Sequence, residues 1–260
     1  MHPAAHALRA KLDAGQPVLG TFLVEFAGSG AVQALADAGF DFAIIDCEHG
    51  NLDPAAVAAT IEAAWGAGLC ALLRPPLEQR SLVTSALDAG AAGLVFPAID
   101  SLAQVQQAVR ISKYTPLGKR GVHLMRGHNR HRPVEPVSFM TEANQQLLTL
   151  IQIELAGAVA LVDQIAATPG VDGLYVGPGD LSVDLGVAGQ WESPLLIRAI
   201  EETAAACRRH GKYLACHTDD LGRVPALRQL GVQIIGYSCD VGFFRAAAAD
   251  LVGRFRAATA

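Results

Sequence analysis

The chain has 260 residues, of which 51% are apolar and 17% charged, with a formal net charge of −5. That composition supports one large core, excludes a disordered chain and gives no global pull toward nucleic acid. No apolar run reaches the roughly 18 residues of a membrane span, so no membrane association is expected.

The first 16 residues read as a short helix, without the apolar stretch of a secretory signal. A first strand covers Val18 to Phe26, followed by a Gly-Ser-Gly turn and an alanine-rich helix to about Ala38. Phe42 to Ile45 is a second strand, and it runs out into Asp46-Cys47-Glu48-His49-Gly50. Asp53-Pro54 opens a helix, with Asp as cap and Pro in the first turn. Cys70 to Leu73 is a third strand ending in Arg74-Pro75-Pro76, and the helix Ser81 to Ala89 after it carries Asp88. Gly93 to Ala98 is a fourth strand, with Asp100-Ser101 capping a helix to about Ser112. Leu148 to Glu154 and Gly173 to Gly177 are strands five and six. Tyr213 to His217 and Gln233 to Cys239 are seven and eight, and Phe243 to Arg256 closes the chain as a helix. The segment Lys119 to Gln146 breaks the alternation and reads as a long basic loop, either solvated, anion-binding or a subunit contact.

Eight continuous apolar runs alternating with helical patterns predict a (β/α)8 TIM barrel, residues 1–260 as one domain. A doubly wound open sheet is the alternative, but no GxGxxG fingerprint accompanies it. Asp46, Glu48, His49, Arg74, Gln152, Glu154, Asp180, His217 and Asp240 all fall at the C-terminal ends of strands, where barrel enzymes keep their sites. The five cysteines are scattered with no CxxC pair, which predicts reduced thiols and a cytoplasmic protein.

Within that group, Gln152 and Glu154 share one face of a strand, since alternate side chains point the same way. Glu154 and Asp180, at the ends of neighbouring strands, offer a hard oxygen site suited to Mg²⁺ or Mn²⁺. Arg74 ends an apolar strand, either as a structural ion pair or as a fixed cation beside a developing negative charge. His49 shares a strand end with carboxylates and reads as a general base, with Asp88 as a candidate partner. None of the four lysines (Lys11, Lys113, Lys119, Lys212) stands at the C-terminal end of a predicted strand, which leaves no place for a Schiff-base nucleophile.

The ordered motifs Asp46-x-Glu48-His49-Gly50, Arg74-Pro75, Leu87-Asp88-Ala89-Gly90-Ala91, Gly118-x-Arg120-Gly121, Gln152-x-Glu154 and Gly177-Pro178-Gly179-Asp180-Leu181-Ser182 resemble the HpcH/HpaI aldolase family. These are metal-dependent (class II) pyruvate aldolases of the 4-hydroxy-2-oxoheptanedioate and 2-keto-3-deoxy sugar-acid type. The resemblance runs from about Gly20 to Asp240. It implies reversible cleavage of 4-hydroxy-2-oxo acids to pyruvate, or a related 2-oxo acid such as hydroxypyruvate, and an aldehyde. Glu154 and Asp180 would hold a divalent ion, Mg²⁺ or Mn²⁺ with Co²⁺ as an alternative. Arg74, Gln152, Gly179 and Asp180 would contact substrate, and His49 supported by Asp88 would be the base. A homohexamer is implied, with the last helix packed on a neighbouring subunit. His217 and the loop Val122 to Arg126 depart from the family pattern, and His217 is expected at the pocket mouth, facing the aldehyde. Another metal–enolate lyase, such as an oxaloacetate decarboxylase, is the competing activity.

Overall fold

The computed structural model describes residues 3–76 and 79–259. Eight strands form: β1 (Val18–Leu23), β2 (Phe42–Asp46), β3 (Cys70–Arg74), β4 (Gly93–Phe96), β5 (Leu148–Ile153), β6 (Gly173–Val176), β7 (Tyr213–Thr218) and β8 (Ile234–Cys239). They pair in sequence order, all in parallel, and β8 returns to β1 to close the barrel. Closure removes both sheet edges and distinguishes this architecture from the doubly wound alternative.

The strands from β2 to β6 are buried along their whole length, which is why they read as unbroken apolar runs. Their outward side chains, such as Ile45, Leu73, Leu94 and Ile151, pack against the helices in the main core. Their inward side chains, including Ile44, Leu72, Leu150 and Tyr175, fill the barrel together with Phe22 of β1. That inner core continues onto Ala5, Leu8 and Leu12 of the helix Pro3–Asp13, which covers the N-terminal end of the barrel. The sequence expectation for this helix included Met1 and His2, which lie outside the described residues.

Asp172, just before β6, fastens that end. It accepts from Arg9 Nη2 at 2.5 Å, Lys113 Nζ at 2.8 Å and Thr149 N at 2.9 Å. Lys113 Nζ also donates to Leu147 O at 2.6 Å. This buried lysine is therefore committed at the end of the barrel away from the strand tips. Burial lowers its pKa, opposed by Asp172.

Two expectations need correction. Strand β1 stops at Leu23 rather than Phe26, because the next three N–H groups leave the sheet for a carboxylate. Asp240 Oδ2 accepts from Val24 N and Glu25 N at 3.0 Å each and from Phe26 N at 2.7 Å. The segment 119–146 is not a single long loop: it contains a short turn of helix, Gly127–Asn129, and the helix Pro136–Gln146. Glu135 caps the latter, accepting from Val137 N at 3.0 Å and Ser138 N at 2.7 Å, with Pro136 in the first turn. Phe139 and Ala143, one turn apart, pack on Tyr114 in a small separate core.

Asp240→Ala should strip the acceptor from three backbone donors at once. Unfolding free energy should fall by about 1–3 kcal/mol in urea titration monitored by circular dichroism.

Candidate active site

The register β2–β3 sets Asp46 beside Arg74 at the C-terminal tips of adjacent strands. Both are withdrawn from solvent, Asp46 completely. They form a two-point pair, Arg74 Nε to Asp46 Oδ1 at 2.8 Å and Nη2 to Oδ2 at 2.6 Å. The remaining guanidinium nitrogen, Nη1, lies 3.2 Å from Glu48 Oε2. Burial opposes the charge on Arg74, but Asp46, Glu48 and Glu154 outweigh it and hold the pKa above its ordinary value. Phe22 of β1 supports the same group from one face, with the guanidinium carbon 4.7 Å from its ring centroid. A register shift between β1 and β8, falling between Gly20 and Phe22, places Phe22 opposite Cys239.

Across the mouth, Glu154 follows β5 and Gln152 lies within it, on the same face as expected. Gln152 Nε2 donates to Glu154 Oε2 in a short contact. Ala98 N donates to Glu154 Oε1 at 2.5 Å. To do so Ala98 adopts a left-handed conformation, φ 53°, just past the end of β4. Ser238, which also borders the mouth, has φ 52°. Non-glycine residues in this region carry strain, which concentrates at functional sites. Gly177 permits the close packing here: a Cβ would stand 2.9 Å from Gln152 Nε2 and 3.2 Å from Glu154 Oε2.

Glu154 has its pKa raised, first by burial and then by the charges of Glu48 and Asp180. Glu48 is raised for the same first reason, with Arg74 opposing. Neighbouring carboxylates thus raise the cost of charge on both Glu154 and Glu48, and the Arg74 guanidinium opposes them at each. Gly179 and Asp180 are exposed in the first turn of the helix Pro178–Asp184. The open cavity here, about 270 Å³, is bordered by Arg74, Gln152, Asp180, His49, Tyr175 and His217, among others.

The structure therefore brings His49, Arg74, Gln152, Gly179, Asp180 and His217 to one cavity, with Glu154 buried against Gln152. His49 is largely exposed, and its Nε2 is 4.0 Å from Glu48 Oε2. Asp88 is not brought to His49 within the chain. It lies in the last turn of the helix Arg80–Ala89, which runs back from the tip of β3 toward the start of β4. Its Oδ1 accepts from Arg120 Nη2 at 3.0 Å and lies 3.7 Å from His128 Nδ1. Glu48 is the carboxylate nearest the imidazole instead. Sequence reasoning missed the grip of Asp46 on Arg74, although strand adjacency could have suggested it. It also missed Phe22, Tyr175 and Ala98, which look like ordinary core or loop residues in the sequence.

Among the described residues no group of three His, Cys, Asp or Glu side chains is preassembled as a metal cage. The two carboxylates expected from the sequence to hold a cation, Glu154 and Asp180, are one buried, with its pKa raised first by that burial, and one exposed. That set fits a hard cation that retains water and takes further oxygens from a ligand, and it does not fit zinc, which favours nitrogen and sulfur.

The HpcH/HpaI aldolase/citrate lyase family model matches residues 23–247. The chain belongs to this family. It is 31% identical to a 4-hydroxy-2-oxo-heptane-1,7-dioate aldolase of Escherichia coli, covering 97% of this chain and 95% of the relative. It is 32% identical to a hydroxypyruvate/pyruvate aldolase of Paraburkholderia phytofirmans, covering 93% and 94%. The crystal structure of an HpcH/HpaI aldolase from Desulfitobacterium hafniense superposes with a TM-score of 0.91 at 34% identity, covering 96% of each chain. These relatives are aldolases, enzymes that make and break carbon–carbon bonds.

Asp46→Ala should leave Arg74 buried without its two-point partner, with only the less direct charges of Glu48 and Glu154 to offset it. A loss of about 3–5 kcal/mol in unfolding free energy is expected, and Asp46→Asn should lose less because one hydrogen-bond acceptor remains. Urea denaturation of the three proteins checks the order.

Proposed function

We propose that the chain is a divalent-metal-dependent aldolase. It would reversibly cleave 4-hydroxy-2-oxo acids to an aldehyde and a 2-oxo acid, either pyruvate or hydroxypyruvate. The observation that carries this reading is a guanidinium locked by Asp46 at a cavity that Gln152 and Asp180 also border, with Glu154 buried against Gln152. Relatives at 31–32% identity that are named aldolases support it.

Glu154 and Asp180 would hold Mg²⁺, Mn²⁺ or Co²⁺, which when bound supplies a Lewis acid for the keto and carboxylate oxygens of the 2-oxo acid. Gln152 and the backbone N–H groups of Gly179 and Asp180 orient the substrate. His49 takes a proton from C3, and Glu48 offsets the charge that the imidazole gains. Arg74, already held by Asp46, faces the oxygen on which negative charge develops, so no reorganisation is needed during the step. The enolate carbon then bonds to the aldehyde carbon, and the proton on His49 passes to the new hydroxyl oxygen. Cleavage is the reverse.

Oligomer formation is part of the same proposal. The C-terminal helix Asp240–Thr259 has Asp240 as its one buried residue and exposes Phe244, Leu251, Val252 and Phe255. Such an apolar stripe suits a neighbouring subunit, in a homohexamer as the family resemblance implies. The five free cysteines suit a reducing, cytoplasmic setting, and no helix among the described residues is long and apolar enough to cross a membrane.

Pyruvate methyl protons should exchange in D₂O, followed by NMR, when Mg²⁺ or Mn²⁺ is added to metal-stripped enzyme. Absence of exchange with either ion, and with hydroxypyruvate as well, would sink the proposal. His49→Ala should slow exchange by about 10²–10⁴-fold, and Arg74→Ala by about 10²–10³-fold. A higher kcat/KM for oxaloacetate decarboxylation than for any aldol cleavage would favour the competing lyase. Independently of turnover, Mg²⁺ should raise the melting temperature of the wild type and leave that of Glu154→Gln unchanged. Light scattering should find an oligomer, and Leu251→Asp with Phe255→Asp should reduce its mass.

A further inference from the structure

Among the residues that border the cavity, Gln152 Oε1, the Tyr175 hydroxyl and His217 Nδ1 have no hydrogen-bond partner, and the last two lie close together. Tyr175 is fully buried, yet its hydroxyl has no hydrogen-bond partner, and neither does His217 Nδ1. Buried polar groups are nearly always paired, so each orphan calls for an explanation. The two border one point. A Cβ on Gly236 of β8 would stand 1.9 Å from Tyr175 Oη and 3.4 Å from His217 Nδ1. The tyrosine thus crosses the barrel from β6 and ends in a notch that exists because residue 236 has no side chain. Phe22 sets both rings from the side, edge-on to Tyr175 with centroids 6.2 Å apart and to His217 at 5.4 Å. His217 Nε2 is 3.8 Å from Asp219 Oδ1, which favours the tautomer with the proton on Nε2 and a lone pair on Nδ1.

We infer that Tyr175 and His217 form a notch that reads a hydroxyl group, and that the preferred substrate of this chain carries a hydroxyl which accepts from Tyr175 Oη and donates to His217 Nδ1. A hydroxyl is the small group that both accepts and donates at one oxygen. A methyl group would leave both protein atoms unpaired, and a carbonyl oxygen would leave Nδ1 unpaired. Burial keeps the two side chains in the required states: it pushes the phenol up, and it lowers His217 against the pull of Asp219. The inference rests on the aldolase reading and narrows it to hydroxylated substrates. The hydroxyl can come from a 3-hydroxy-2-oxo acid donor or from a 2-hydroxyaldehyde acceptor.

The test is a pair of kcat/KM ratios on the metal-loaded enzyme. One arm compares hydroxypyruvate with pyruvate at a fixed concentration of acetaldehyde. The other compares glycolaldehyde with acetaldehyde at fixed pyruvate. Tyr175→Phe should lower the hydroxylated-to-deoxy ratio by about 10–100-fold in one arm, and that arm identifies the source of the hydroxyl. His217→Leu should lower the same ratio. It has a partly exposed side chain, so it decides the matter if Tyr175→Phe does not fold. Ratios that stay within about twofold of wild type in both arms would overturn the notch while leaving the aldolase reading intact. Wild-type enzyme that neither exchanges 2-oxo acid protons nor forms any aldol would remove the aldolase reading, and the notch would fall with it.

Discussion

The buried pair Asp46–Arg74 is the interaction on which the mouth of the barrel depends. A guanidinium withdrawn from water is costly unless a carboxylate meets it at two points, and the parallel register of β2 and β3 supplies that carboxylate. Once Asp46 takes Nε and Nη2, the Arg74 plane is fixed, and Nη1 is left toward Glu48. Phe22 stacks beneath the plane and in turn sets Tyr175 and His217. One ion pair therefore orders both the cation at the centre of the site and the aromatic wall beside it.

The opposite wall works by crowding. Burial raises the electrostatic cost of charge on Glu154 and Glu48, and nearby carboxylates raise it further, Glu48 and Asp180 for Glu154, Asp46 and Asp180 for Glu48. Hydrogen bonds from Ala98 N and Gln152 hold Glu154 in place despite that cost, and Ala98 accepts a left-handed backbone to provide one of them. Stability is given up at the mouth and recovered elsewhere. The Asp172 cluster and the helix Pro3–Asp13 close the far end, and the outer core holds the helices to the barrel. A closed barrel separates these tasks spatially, with its binding groups at the C-terminal ends and its fastening at the N-terminal ends of the strands.

Small residues decide how closely the two walls approach. Gly177 lets β6 turn past Gln152 and Glu154, and Gly236 leaves room for the Tyr175 hydroxyl. Gly50 has the same role behind Asp46: a Cβ there would stand 2.4 Å from Asp46 O and 2.7 Å from Val24 O. Val24 begins the stretch gripped by Asp240, so this contact links β2's exit to the junction between β1 and β8.

Much of the molecule was legible in the chain itself. Burial on both faces of a parallel strand leaves an unbroken apolar run, so eight strands and their polar tips could be read locally, and period-two alternation placed Gln152 and Glu154 together. The helix Pro136–Gln146 was also written locally, in Glu135-Pro136 and the Phe139/Ala143 spacing, but the basic residues before it obscured the signal. What sequence could not settle were relations between distant segments. Asp88 was a reasonable partner for His49 by residue type, yet the helix that carries it runs back down the barrel and gives it to Arg120. Asp46, Phe22, Tyr175 and Gly236 acquire their parts only when β1, β2, β3, β6 and β8 are brought side by side. The sequence by itself determined the barrel and the chemistry at its rim, because burial and alternation act along the chain. The tertiary structure alone decided which charge meets which and where a hydroxyl can sit, because those depend on strand register and on distances across the barrel.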